Sequence, residues 1–219
     1  MCEGGHLERS WFERHPVEVA FGLIGAKIVV DRNGERVVAR IVETEAYGGM
    51  EDGASHVTMY RVGRTSLASL PGALYMQLSY GLHTMTNVVA HRKGNLGAVL
   101  LRAAEDPLEG LSVAQARRFG RVNSLLVGPG NLSQGMGTRL SDTLKPLAPG
   151  TGVYVLPGDE PGEVRTGSRI GISRATHAPW RFFDGASRFV SKHRRGDVVH
   201  AADVPGLAAA LGPSLVELS

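Results

Sequence analysis

The sequence predicts an α+β fold: one domain over residues 1–219, built on a largely antiparallel, curved β-sheet with flanking helices and a protruding β-hairpin. Three observations carry this. Segments with strand character outnumber helical ones. Many are joined by hairpin-length links, among them Asn33-Gly34, a strong two-residue hairpin signal. No βαβ repeat or G-x-G-x-x-G fingerprint breaks the order, which argues against a doubly wound nucleotide-binding sheet.

The elements follow in order. Residues 1–9 are candidates for a loose end, and Ser10 can cap a short turn with Trp11 and Phe12. Pro16 suits the first turn of a helix whose apolar side is Val17 to Leu23, ending near Gly25. Ala26 to Val30 reads as a strand that turns through Asn33-Gly34 and returns from Val37 to Tyr47. In a regular strand, Glu43, Glu45 and Tyr47 would share a face with Val37, Ala39 and Ile41. Residues 48–72 are Gly, Ser and polar rich without a period, and read as a long loop of functional type. Ala73 to Ser79 and Thr84 to Ala90 form two strands around a tip at Tyr80-Gly81-Leu82-His83, and Ala98 to Ala103 forms another. Pro107 opens a helix over Leu108 to Phe119, with Arg117 and Arg118 near its C-terminal end, where the helix dipole favours cations. A loop over Leu125 to Asn131 leads into a short helix. Strand candidates follow at Gly152 to Leu156, Arg169 to Ile172 and Arg181 to Phe183, and a terminal helix at Leu207 to Leu211. Residues 197–219 either fold over the domain surface or fray.

Composition bounds the function. With 42% hydrophobic residues the chain can bury a sizeable core, yet no apolar run approaches the roughly 20 residues that span a bilayer. The first residues lack the layout of a signal peptide, so a soluble, cytoplasmic protein is expected. The single cysteine, Cys2, excludes an internal disulfide and a multi-cysteine zinc site. The net charge of +3 decides little, but basic residues cluster at His91-Arg92-Lys93, Arg117-Arg118, Arg121 and Lys192-His193-Arg194-Arg195. Such clusters suit a phosphate-bearing partner; the plain alternative is a set of solvated turns.

The stretch from Glu43 to His56 carries the chemistry. It places carboxylates at Glu43 and Glu45, a ring at Tyr47, then Glu51-Asp52 and Ser55-His56. Charges that end an apolar strand face are costly unless solvated, paired or useful. A carboxylate beside a ring can hold a planar substrate and activate water; equally, it can end a strand in a salt bridge. Paired carboxylates also serve sugar glycosidases, but these two are only about 7 Å apart along one strand.

Taken together, Glu43-Thr44-Glu45-Ala46-Tyr47, Glu51-Asp52, His56, Pro71-Gly72-Ala73-Leu74-Tyr75, Tyr80-Gly81, Asn87, Ala98 to Ala103 with Leu100-Leu101-Arg102, Pro107 to Gly110, Gly128-Pro129-Gly130, Arg169 to Ile172 and Trp180-Arg181-Phe182 resemble the alkyladenine (3-methyladenine) DNA glycosylase family of base-excision repair. The order and spacing hold over roughly residues 10 to 190. The resemblance implies a monofunctional, cofactor-free and metal-free enzyme acting as a monomer on double-stranded DNA that contains damaged purines. Such an enzyme flips the lesion out of the stack and hydrolyses its N-glycosidic bond. It implies Glu45 as general base, with Glu43 as a supporting carboxylate. Arg102 would hold the water or a phosphate, or else pair with Glu43 or Glu45. Ile172 would offer a main-chain carbonyl to the water. Tyr47 and His56 would wall the base pocket, Asn87 would disfavour guanine, and Tyr80 would be the intercalating wedge.

The chain departs from that pattern at Gln77, where many relatives have a ring completing the sandwich around the base. Loss of one stacking surface is worth about 1–3 kcal/mol, so a roomier pocket is expected, with His83 or Met59 as possible substitutes. Residues 64–69 lack an expected Arg-Asn element, and Asn131 replaces a basic residue. Two rival readings are a non-catalytic DNA-binding module of the same fold and a hydrolase of free nucleosides or sugars.

Overall fold

A thirteen-residue strand, β2 (Glu35–Tyr47), organises the sheet. In the computed structural model, which describes residues 5–59, 61–192 and 195–211, its first half pairs with β1 (Lys27–Arg32) through a two-residue hairpin. Asn33 and Gly34 at that turn both have positive φ, as a tight hairpin of this kind requires. The second half of β2 lies between β5 (Ala98–Ala104) and β8 (Arg181–Asp184). Outward from β5 come β4 (His83–Val89) and β3 (Leu74–Ser79). Outward from β8 come β7 (Val164–Gly167) and the short β9 (Asp197–Val198). β6 (Val153–Leu156) covers β1. The nine strands pair antiparallel throughout. With six α-helices among the described residues, this is an α+β fold, as the hairpin spacing predicts.

One face of the sheet holds the main core. α1 (Pro16–Gly22) packs there with Val17, Val19 and Ala20 against Val37, Ala39, Ile41 and Ala46 of β2. Its start is fixed by His15 and Glu18: the His15 ring accepts the Val17 N–H, and the Glu18 carboxylate accepts the His15 N–H. α5 (Pro129–Met136) adds Leu132 and Met136 to the same core. Among the described residues, no helix is long and apolar enough to cross a membrane.

Several local expectations are corrected. Residues 48–72 are not one long loop, because α2 (His56–Met59) and α3 (Arg61–Leu67) form within them. The Ser55 hydroxyl accepts the Val57 N–H, the capping role that starts α2, and Val57 and Leu67 bury their side chains. α4 (Leu111–Arg117) begins later than Pro107 predicts, since the Leu108 and Glu109 backbones bridge to Val38 of β2 before Gly110 turns the chain with positive φ. Residues 169–172 are irregular, not a strand, because their polar groups are spent on the site below. At the C-terminal end, α6 (Val204–Ala208) receives the Trp180 indole N–H on the Leu207 carbonyl. Cys2, His193 and Arg194 lie outside the described residues, as does the Met59 side chain.

Candidate active site

The facing of β2 also differs from the regular-strand expectation, and the difference builds the site. The pairing of β2 with β5 shifts register between Ile41 and Thr44. Ile41 and Ala46 both reach the main core, and Thr44, also facing it, donates its hydroxyl to the Ala20 carbonyl of α1. The irregularity changes the strand's parity, so Glu43 and Glu45 point to the other face. β5 does the same: Leu101 and Ala104 face the core, while Arg102 reaches the carboxylates. Bulges of this sort re-aim side chains next to functional sites.

Glu45 is fully buried. Its Oε2 accepts a hydrogen bond from the Tyr47 hydroxyl at 2.8 Å, and Arg102 Nη1 stands 3.3 Å from the same oxygen. Its Oε1 accepts the Ile170 N–H at 2.7 Å. Burial raises the Glu45 pKa above the usual carboxylate value; Arg102, the Ile170 N–H and the Tyr47 hydroxyl oppose that rise. Burial and the adjacent Glu45 also push the Tyr47 phenol well above its ordinary value, so Tyr47 stays a donor.

Glu43, equally buried, is held differently. Its Oε1 accepts from Arg181 Nη1 at 2.9 Å, and its Oε2 accepts from both the Ser191 N–H and hydroxyl, at 2.9 and 2.7 Å. Arg102 Nε lies 3.5 Å away. An ionised carboxylate offers about four acceptor sites. Glu43 receives three hydrogen bonds and Glu45 two from the described residues, with the Arg102 guanidinium beside both, so Glu45 retains more acceptor capacity.

The segment that presents Ile170 is itself anchored. Arg169 is buried and binds Asp52 through both terminal nitrogens, at 2.6 and 2.9 Å, and also donates to the Ala46 carbonyl. Its guanidinium lies 4.8 Å from the Tyr47 ring centroid and 5.3 Å from that of Trp180. Asp52 further accepts the Gly48 and Ala54 N–H groups, tying the end of β2 to the start of α2. Ile172, expected at the water, is half-buried two residues beyond Ile170, and it is Ile170 that touches Glu45.

The remaining expected residues share the same side of the sheet. The register aligns Glu45 with Leu100, Leu100 with Asn87, and Asn87 with Tyr75, one row across four strands. Asn87 is buried and donates its amide to the Tyr75 carbonyl at 3.0 Å. The His56 Nδ1 meets the Tyr75 hydroxyl at 2.9 Å, and burial lowers the His56 pKa, keeping that ring neutral. Gln77, half-buried, pairs across the hairpin with Met85, not with a ring. Tyr80 is 95% exposed at the hairpin tip, with positive φ. A cavity of about 590 Å³ beside Trp11, Phe21 and Val199 contains none of these residues.

Sequence reasoning missed Asp52 and Arg169 as a pair, Ile170, Arg181 and Ser191. The contacts of Arg169 with Asp52, of Ile170 with Glu45 and of Arg181 and Ser191 with Glu43 each span more than a hundred positions and leave no local periodic signal.

The profile of the methylpurine-DNA glycosylase (MPG) family matches residues 10–188, which include every element described around Glu45 except part of the Ser191 contact. The chain belongs to the methylpurine-DNA glycosylase family. Curated relatives share the name "Putative 3-methyladenine DNA glycosylase". One from Salinibacter ruber is 40% identical over 206 residues, covering 84% of this chain and 96% of its own. One from Paraburkholderia phytofirmans is 42% identical over 183 residues, covering 82% and 84%. One from Chlorobium luteolum is 36% identical over 193 residues, covering 86% and 97%. In this methylpurine-DNA glycosylase family member, Glu43 and Glu45 lie on the sheet face opposite the main core.

Proposed function

We propose that this chain excises damaged purines from duplex DNA by hydrolysing the N-glycosidic bond, with Glu45 as the base that activates water. One observation carries the choice of Glu45: it is a fully buried carboxylate that receives two hydrogen bonds from the described residues, beside a second carboxylate that receives three.

The lesion must leave the stack before any side chain reaches its sugar, at a cost of a few kcal/mol that is lower for damaged pairs. Tyr80 at the exposed tip fills the space it vacates. The flipped base lies over Tyr47, with His56 and Asn87 reading its edge. Water then loses a proton to Glu45 and its oxygen bonds to the anomeric carbon. The carbon–nitrogen bond breaks with its electron pair going to the departing base, leaving an abasic site. The ionised carboxylate also stabilises the positive charge that builds on the sugar. Arg102 holds Glu45 and the water in register, and the Ile170 N–H fixes the second carboxylate oxygen. No lysine supplies an amine nucleophile in this scheme, so the chemistry is that of a monofunctional glycosylase.

The test is a panel of duplexes, each with one defined lesion, incubated with purified protein and followed by cleavage of abasic sites. Release of 3-methyladenine or 7-methylguanine without borohydride-trappable protein–DNA adduct supports the proposal. Release from free nucleosides at the duplex rate, or a trapped adduct, contradicts it.

A further inference from the structure

Tyr80 is not the only aromatic side chain held out into solvent. Phe119 follows α4 and is 88% exposed. The two sites share one local construction. Tyr80 and Gly81 have φ of 50° and 69°, and Phe119 and Gly120 have φ of 55° and 77°. A bulky residue in the left-handed region is disfavoured and persists where the surroundings fix it. Neither glycine is crowded, since a Cβ on either would meet nothing within 4 Å. These glycines therefore serve the turn and not packing. Each turn puts a ring where it buries almost nothing within the monomer.

The setting of Phe119 is basic. Arg117 anchors the turn by donating to the Met136 carbonyl and pairing with Glu35. Arg118 and Arg121 have no carboxylate within ion-pair distance among the described residues. Arg118 donates to the Gln134 side chain, yet its buried Nε has no hydrogen-bond partner there. Burial first, and the adjacent Arg121 second, press the Arg118 guanidinium toward a lower pKa. Residues 119–124 are all exposed and include no acidic group.

α5 joins this turn to the hairpin. Gly130, in its first turn, packs against the His83 side chain, three residues from Tyr80, and Gly135 packs against Arg118. Five helical residues separate the two contacts, about 8 Å at 1.5 Å per residue.

We propose that the Phe119–Arg121 turn is a second DNA-contacting element, in which Phe119 stacks on or wedges beside a base of the same duplex while the exposed Arg121 neutralises a phosphate. This rests on duplex DNA being the substrate, but not on the role of Glu45. It assigns the chain two aromatic contacts with DNA, one at the lesion and one flanking it.

The experiment compares wild type, Phe119→Ala, Phe119→Trp and Arg121→Gln. For each, binding to an undamaged duplex is titrated across a salt series, and single-turnover release of 7-methylguanine is measured at saturating protein. Phe119→Ala should weaken binding about tenfold, with Phe119→Trp restoring it. Arg121→Gln should lower the slope of log affinity against log salt by about 0.9. Release at saturation should stay within twofold of wild type in all three. Wild-type affinity and salt slope in both Phe119→Ala and Arg121→Gln would overturn the proposal. Phe119-dependent binding without base release by wild type would uphold this surface and refute the catalytic reading. Absence of duplex binding by wild type would refute both.

Discussion

At the scale of single residues, the proposed chemistry turns on Glu45. Burial raises its pKa, with Arg102, Ile170 and Tyr47 holding the rise in check. Such a group is a stronger base once ionised, but it ionises later. The acid limb of base release should therefore lie above the ordinary glutamate value of about 4.3. A single-turnover pH profile checks this; an acid limb at or below that value would contradict it. The same shift has a consequence for stability. The folded state binds the proton more tightly than the unfolded chain, so stability from this group is present below the unfolded pKa and is lost as pH rises through the folded one. Glu45→Gln should melt no lower than wild type at pH 7.5 in calorimetry, and a fall of several degrees would contradict this. Gln77 is the second informative residue. It faces Met85 where a ring would complete the base sandwich, so Gln77→Tyr should raise release of neutral hypoxanthine about tenfold relative to cationic 3-methyladenine. Equal gains for both lesions, or none, would count against that pocket geometry.

At the scale of elements, β2 explains both what the sequence revealed and what it concealed. The Asn33-Gly34 hairpin, the strands around Tyr80 and the helix after Pro16 were legible because turn chemistry and periodicity are local signals. The facing of Glu43 and Glu45 was not, because the irregularity between Ile41 and Thr44 depends on the partner strand β5. α2 hid in a polar stretch for a related reason: Asp52 and Ser55 organise its start through side-chain hydrogen bonds, not through an apolar period. The candidate site was half legible. Glu45, Tyr47, His56, Asn87 and Arg102 were named from motif and order, but the anchors at Asp52, Arg169 and Ile170 come together only in three dimensions. The Asp52–Arg169 pair is buried on both sides, and removing one partner leaves an uncompensated charge. Asp52→Ala should cost about 3–5 kcal/mol in denaturant unfolding and loosen the Ile170 contact to Glu45. A loss under about 1 kcal/mol would show that the pair does not anchor that segment.

At the scale of the whole molecule, the sheet separates two jobs. One face buries the core with α1 and α5, and the other carries the carboxylates in line with Leu100, Asn87 and Tyr75. Exposed rings at Tyr80 and Phe119 project from turns linked through α5. The separation lets a pocket with costly buried charges persist, because packing is paid for on the opposite face. It also predicts which lesions are handled best. Cationic purines such as 3-methyladenine leave readily and ask little of a pocket with one ring missing, whereas neutral hypoxanthine asks more. Release rates from matched duplexes should therefore rank 3-methyladenine and 7-methylguanine above hypoxanthine, and the reverse order would refute this account of the pocket. The most direct test of the central claim pairs binding with release for Glu45→Gln on a duplex containing 7-methylguanine. The substituted protein should bind within a few-fold of wild type while single-turnover release falls by about a thousandfold or more. Release within tenfold of wild type would contradict the assignment of Glu45 as the base.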